Sequence, residues 1–272
     1  MRTIKSYMRL YRIMISQFFK VIMQSKVDFF IGLLGFFFTQ IMGIAFLYLV
    51  FQQIPTLAGW TFDQLVFIYG FAQIPRGLDH LLTDNIWLVA WRMVRNGEFD
   101  RYMLRPMNVF FQIISEKLQP DALGELLIGF ILVVGSLGKG IVVVDAFHLL
   151  MFVVSVLAGA VIYTAIKLFF ASWAFWFKMS GPFLQFAYGL ADFAKYPTEI
   201  YARSIRFIIT WVIPFAFVAY LPASYFLGKH ISIAGISGAG IIGVEWVIAI
   251  LFAGIAGLTF SKGIKIYESA GN

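Results

Sequence analysis

The chain has 272 residues, of which 61% are hydrophobic and only 13% are charged, and its formal net charge is +7. Soluble domains carry about 25% charged and about 45–50% apolar residues. A soluble enzyme or a nucleic-acid reader is therefore strongly disfavoured. The composition indicates an all-α polytopic membrane protein, a single domain over residues 1–272 in contact with membrane lipid. The positive charge then reflects Lys and Arg concentrated at one membrane face, and no nucleic-acid partner is expected.

The amino end, residues 1–28, mixes basic and aromatic residues at helical spacing. This pattern is typical of an amphipathic helix lying in the membrane interface. A basic tail that only sets the orientation is the alternative. No small-residue cleavage site follows, so a signal peptide is not expected.

Six apolar stretches are predicted to cross the bilayer, because each approaches the length that the hydrocarbon core requires. The second carries several polar residues in its inner part, with Arg76 expected near the inner interface. Pro120 either kinks the third span or marks its start. The predicted spans are residues 29–51, 60–85, 118–138, 146–178, 181–196 and 240–260.

The topology depends on residues 197–228, which are apolar but contain Pro214 and Pro222. One interpretation is a re-entrant hairpin that dips into the membrane from outside before the last span. The alternative places residues 179–206 in the cytoplasm and makes 207–227 the fifth span, which suits the distribution of Lys and Arg better. Most Lys and Arg residues fall on the side of the two chain ends, so both ends are predicted to be cytoplasmic.

The sequence offers few residues for catalysis or metal binding. Cys is absent, and the three histidines are far apart and have no metal-ligand spacing. The glycine-rich segment around Lys139 lacks the spacing and the Ser or Thr of a phosphate-binding loop. We therefore expect no enzyme activity, metal or cofactor in this chain, and ATP would have to bind a partner.

A short helix is predicted in the loop after the second span, residues 91–108. It begins after Gly97, which stops the preceding helix, and it ends at Pro106. Its aromatic face suits insertion into a groove of another protein. A surface helix that only connects two spans is the alternative. The residues that share this face, at i, i+3 and i+4, are Phe99, Tyr102 and Met103.

The sequence of this short helix, GEFDRYMLRP at residues 97–106, resembles the cytoplasmic loop of permease subunits of bacterial type 2 ABC exporters. The similarity is greatest to a subgroup whose members often work as pairs of related permeases. Residues 108–125 and 214–228 are similar to the same subgroup. That family has six spans, both ends in the cytoplasm, an amphipathic amino-terminal helix and a re-entrant hairpin, so the resemblance favours the hairpin topology.

The resemblance implies a non-catalytic permease subunit of an ATP-driven exporter in the bacterial cytoplasmic membrane. Its partners would be a second permease, identical or related, and two ABC ATPase subunits that hold ATP and Mg. The loop would be the coupling helix that docks on the ATPase, with Phe99 and Tyr102 as anchors and Arg101 and Arg105 facing acidic groups. The residues assigned to coupling are Gly97, Glu98, Phe99, Asp100, Arg101, Tyr102, Met103, Leu104, Arg105 and Pro106.

Asp192 and Tyr196, at the outer end of the predicted fifth span, are the candidate substrate-path residues, because in the family that span lines the permease interface. A local ion pair between Asp192 and Lys195 is the simpler interpretation.

Glu245, near the outer end of the last span, is expected within reach of Lys229 or Arg203. A different function, proton-coupled secondary transport through intramembrane carboxylates, is the alternative to the ABC permease. The carboxylates that would carry protons are Asp79, Glu125 and Asp192.

Overall fold

Helices joined by turns and loops make up the described part of the protein, and no strand occurs in those residues. This confirms the prediction of an all-helical chain. The interfacial helix predicted over residues 1–28 lies almost wholly outside the described part. The computed structural model describes residues 26–233 and 235–269, together with Arg12, Ser16 and Lys20.

The α-helices are numbered here in chain order, and short π or 3₁₀ turns extend several of them. The helices are α1 (Lys26–Gln53), α2 (Phe62–Thr83), α3 (Ile86–Leu88), α4 (Asp100–Met103), α5 (Val109–Glu116), α6 (Ala122–Leu137), α7 (Ala146–Ser172), α8 (Ala174–Phe177), α9 (Gly181–Ala191), α10 (Arg203–Phe207), α11 (Tyr220–Phe226) and α12 (Gly240–Ile266). The turns are Val89–Met93, Asp192–Lys195, Thr198–Ile200, Ile208–Val212 and Phe215–Phe217.

Three segments of the described chain are long and apolar enough to cross a membrane: Phe29–Gln53, Ala146–Phe177 and Gly240–Ile266. Helix α2 has 22 residues, roughly 33 Å, but it carries a polar stripe. Helix α6 has 16 residues and begins just after Pro120, which therefore marks its start. Helix α9 has 11 residues, roughly 17 Å, which is about half of the hydrocarbon core.

Residues 203–226 form two helical pieces that are bent by 73° against each other. The bend follows Ile213 and contains Pro214, whose ring and missing N–H interrupt helical hydrogen bonding. The apolar stretch 207–227 is therefore not one continuous helix. A bend of this size fits either a broken span or a re-entrant hairpin.

Helix α2 lies at the centre, packed along α6 on one side and α7 on another, while α12 packs along α7. Glycine allows the close approach of α2 and α6. A Cβ on Gly129 would lie 2.9 Å from the carbonyl oxygen of Gly70, closer than any side chain tolerates. Small residues at such crossings are characteristic of helix packing in membranes.

The first turns of α1 and the last turn of α12 lie at the same end of the molecule. We call it the loop end, because the 91–108 loop lies there. A Cβ on Gly32, in the first turns of α1, would touch the carboxylate of Asp121 just before α6. Tyr267, just after α12, contacts Asp100 in the loop between α2 and α6. The first turns of α1 thus lie beside the start of α6, and the chain leaves α12 beside the 91–108 loop.

Candidate functional site

Two aromatic residues of the loop are buried in the molecule itself. Phe99 and Tyr102 are both 0% exposed. The Phe99 ring centroid lies 5.0 Å from that of Phe175 in α8 and 5.0 Å from that of Tyr267 after α12. Neither side chain faces outward, as an anchor on a partner protein would require. Their role as anchors on the ATPase is therefore revised: they hold the loop on the helix bundle.

Tyr102 fixes the loop to α5. Its hydroxyl donates a hydrogen bond to the Glu116 carboxylate and accepts one of 2.8 Å from Arg101. The Arg101 guanidinium lies 2.7 Å from the same carboxylate. Burial, together with the hydrogen bond to Glu116, raises the pKa of Tyr102 to about 12. The phenol therefore stays protonated and remains a donor throughout the physiological pH range.

Asp100 joins the loop to the carboxyl end of the described chain. Its carboxylate accepts hydrogen bonds of 2.9 Å from the Tyr267 hydroxyl and 2.5 Å from the Ser269 hydroxyl. Burial and the bond to Asp100 raise the pKa of Tyr267 to about 12. Tyr267 and Ser269 were missed by the sequence analysis, because no local pattern indicates a contact between residues so far apart in the chain.

The outward side of the loop is apolar and basic. Leu104 is 84% exposed and Met103 is 45% exposed. The Arg101 side chain is 47% exposed despite its ion pair, and Arg105 is exposed as well. Of the three residues that the sequence pattern places on one face, Phe99 and Tyr102 are therefore buried, whereas Met103 is exposed.

A set of charged side chains connects α2 with α6 and α9. The Arg76 guanidinium lies 3.5 Å from the Glu125 carboxylate and 3.1 Å from the Asp192 carboxylate. His80 also contacts Glu125, at 3.0 Å, and Lys195 contacts Asp192, at 2.8 Å. The predicted local pair between Asp192 and Lys195 is thus present, but it is only part of a larger network.

The depths expected for Arg76 and Asp192 cannot both hold. Arg76 was placed near the inner interface and Asp192 near the outer end of its span, yet the two are in contact. The reason is the shortness of α9, which ends at Ala191 and so brings Asp192 only to the level of Arg76.

A second set of charged side chains lies between α2 and α7, where Lys167 and Asp79 are completely buried. The Lys167 ammonium lies 2.8 Å from Asp79 and 3.6 Å from Asp84. Asp79 also accepts hydrogen bonds of 2.6 Å from Tyr188 and 2.8 Å from Thr164. Lys167, which lies within the predicted fourth span, is thus buried in the bundle.

A cleft of about 580 Å³ opens between α1 and the Arg76 network, and both predicted substrate-path residues line it. A neighbouring cavity of about 360 Å³ shares Phe36, Arg76 and Asp192 with the cleft. The Asp192 side chain is 59% exposed here, more than the charged groups around it. The wall formed by α1 is small or polar except at Phe36. The lining residues are Gly32, Gly35, Phe36, Thr39, Gln40, Gly43, Tyr69, Arg76, Glu125, Asp192, Lys195 and Tyr196.

A family model described as ABC-2 family transporter protein matches residues 37–271. The chain belongs to this family. The match includes the loop, both charged sets, the bent segment 203–226 and the cleft except for its lining residues Gly32, Gly35 and Phe36. No curated protein and no solved structure gives a match.

Family membership confirms the resemblance noted in the sequence. The chain is the membrane-spanning permease component of an ABC-type transporter, a multi-pass membrane protein. ABC-2 permeases work with ABC ATPase partners and are generally not catalytic themselves.

One buried carboxylate of this ABC-2 permease has a different partner from the expected one. Glu245 accepts a 2.7 Å hydrogen bond from Ser155 of α7 and is 0% exposed. Lys229 instead donates to the carbonyl oxygen of Gly59 at 3.0 Å and lies over the Trp60 ring. Glu245 therefore joins α12 to α7 instead of pairing with a loop cation. Across the described residues, no three His, Asp or Glu side chains converge as a metal site requires.

Proposed function

We propose that this ABC-2 permease forms the export pathway of an ATP-driven transporter with a second permease, identical or related, in the bacterial cytoplasmic membrane. Two ABC ATPase subunits, holding ATP and Mg, bind the coupling segment, residues 97–106. The observation that carries this proposal is that the segment has two different faces. Its outer face is exposed, apolar and basic, while its inner face is buried in the helix bundle.

The coupling segment suits the transfer of movement between two proteins. Leu104 and Arg105 present an apolar and a cationic contact to an acidic or apolar groove on the ATPase. Phe99 and Tyr102 hold the same segment on α8 and α5. Closure of the ATPases on ATP would push the segment and shift the permease pair between inward-open and outward-open states. Only differential binding of ATP and substrate to the two states can drive this shift.

Six crossings with both ends in the cytoplasm are consistent with the packing. Helices α1 and α12 respectively begin and end at the loop end, where the coupling segment lies. Helix α9 is too short to cross alone, so the fifth crossing also uses the Asp192–Lys195 turn and the first residues of the 197–228 segment, before its bent part forms the hairpin. Backbone that is irregular at membrane depth has to be buried in protein or line a cavity. In this hairpin the residues around the bend, Phe215, Ala216 and Phe217, are 0% exposed.

The substrate pathway runs along the cleft lined by Asp192 and Tyr196. A wall of small and polar α1 residues faces a wall of charged and phenolic side chains. This combination suits an amphipathic substrate whose polar end meets the charged wall while its apolar part faces α1 or lipid. The direction, export, follows from the resemblance of residues 97–106 to exporter loops.

The proposal is tested by purifying tagged protein from its native host in mild detergent and identifying stoichiometric partners by mass spectrometry. We expect a soluble chain with the sequence G-x-x-x-x-G-K-[ST], which binds ATP phosphates. Leu104→Asp and Arg105→Glu should each reduce its recovery. Arg203→Glu, which reverses an exposed charge in the 197–228 hairpin, should not.

The proton-coupled alternative predicts the opposite result. The permease would then purify without an ATPase, and transport in vesicles depleted of ATP would follow the proton gradient. Equal recovery of the ATPase from all three variants would instead show that residues 97–106 are not the docking segment.

A further inference from the structure

The carboxylate of Asp100 is held by two hydroxyl groups from the end of the described chain. One oxygen accepts from Tyr267 at 2.9 Å and the other from Ser269 at 2.5 Å. Both donors follow directly after α12, which ends at Ile266. Hydrogen bonds to an ionised acceptor are about twice as strong as neutral ones. We call these three residues the clamp.

Aromatic packing reinforces the clamp. The Tyr267 ring centroid lies 5.0 Å from that of Phe99 and 6.0 Å from that of Phe175. Ring pairs in this range attract each other beyond the burial of their area. The end of α12 therefore contacts the coupling segment through two hydrogen bonds and a ring contact.

The coupling segment is attached to two different helix pairs. On one side Tyr102 bonds Glu116 at the end of α5, which leads into α6, and α6 packs along α2. On the other side the clamp reaches α12, which packs along α7. A push on the coupling segment therefore acts on both helix pairs. The clamp is the polar connection between this segment and the pair formed by α7 and α12.

We propose that Asp100, Tyr267 and Ser269 are positioning residues that pass movement of the coupling segment to the last span, α12. This inference rests on the proposed docking of an ATPase at residues 97–106. It requires that breaking the clamp leaves the ATPase bound but uncouples α12 from it. The sequence pattern only places Asp100 in the first turn of a short helix, where the helix dipole favours a negative charge.

The absence of native cysteine makes the movement measurable with site-directed labels. Nitroxides on Val134→Cys in α6 and Val247→Cys in α12, both exposed positions, report the separation of the two helix pairs. Pulsed electron spin resonance is recorded on the reconstituted permease–ATPase complex before and after trapping with ATP and orthovanadate. Trapping should shift the distance distribution in the otherwise unchanged chain.

Tyr267→Phe and Ser269→Ala should each lose most of that shift, while the amounts of bound ATPase and trapped nucleotide stay the same. Tyr201→Phe is the matched control, because it removes a hydroxyl that bonds the Phe193 carbonyl oxygen in another part of the chain. It should keep the full shift. A full shift in Tyr267→Phe and Ser269→Ala, or loss of the bound ATPase from them, would overturn the clamp.

A second experiment tests the clamp without the ATPase. Asp100→Cys combined with Ser269→Cys should form an intramolecular disulfide on mild oxidation, because short side chains in direct contact bring the two Cβ atoms close together. Failure to cross-link overturns the clamp even where ATP-driven movement is seen. Cross-linking of this pair, together with a lack of any ATPase bound to the unchanged chain, would overturn the proposed function, and with it the role of the clamp.

Discussion

The ammonium nitrogen of Lys167 lies 2.8 Å from a carboxylate oxygen of Asp79, and both side chains are completely buried between α7 and α2. Burying two charges costs several kcal/mol per ion, which the attraction offsets only when the remaining polar atoms are also satisfied. Here Tyr188 and Thr164 donate to the same carboxylate. The pair therefore fixes how α2 and α7 lie against each other.

Lys167→Met should destabilise the permease by about 3–5 kcal/mol, because it leaves the Asp79 carboxylate buried without its cation. Adding Asp79→Asn should recover most of that loss, since the uncompensated charge is then gone. The measurement is a double-mutant cycle of unfolding free energies in detergent. Additive losses in the double variant would show that the two groups do not depend on each other.

Phe99→Ala should destabilise the permease by about 3–5 kcal/mol, the usual cost of removing a buried aromatic side chain. Leu104→Ala, five residues later in the same segment, should leave the unfolding free energy within about 0.5 kcal/mol of the wild-type value, because Leu104 is 84% exposed. Unfolding curves of the two variants in the same detergent test this. Equal losses would mean that the segment does not have one buried and one exposed face.

Much of the fold can be predicted from the sequence, because long apolar stretches have few alternatives to membrane-spanning helices. The helices at 29–51, 146–178 and 240–260 were found for this reason. The bend in residues 203–226 was indicated by Pro214. The shortness of α9 was not, since the predicted span runs to residue 196, whereas the α-helix ends at Ala191 and a 3₁₀ turn, Asp192–Lys195, follows it.

The candidate site was only partly predictable. The loop at residues 97–106 carries a local pattern, and its aromatic residues do share a face. Which way that face points depends on Phe175 and Tyr267, and no local pattern shows that these residues meet the loop. The pairing of Arg76 with Asp192 was missed for the same reason, because residues 116 positions apart meet only through the packing of α2 with the Asp192–Lys195 turn.

Two glycines of α12 should respond in opposite ways to Ala. A Cβ at Gly263 would collide with the ring of Phe175, whereas one at Gly257 would meet nothing within 4 Å. Gly263→Ala should therefore cost about 1–3 kcal/mol through overpacking. Gly257→Ala should be neutral or stabilise by up to about 1 kcal/mol, the gain in helix propensity. Thermal unfolding of both variants checks this, and a loss at Gly257 alone would contradict the packing of α12.

The cleft beside Arg76 and Asp192 should admit water, because ionisable groups at membrane depth face a hydrated cavity or the protein interior. Thr39 lines the cleft, while its neighbour Phe38 does not line it and is 62% exposed. In this cysteine-free chain, Thr39→Cys should react with a charged methanethiosulfonate from water on the order of tenfold faster than Phe38→Cys. The reason is that the reactive thiolate forms only where water reaches the sulfur. Equal, slow reaction at both positions would mean that lipid fills the cleft, and a polar substrate could not then pass along Asp192 and Tyr196.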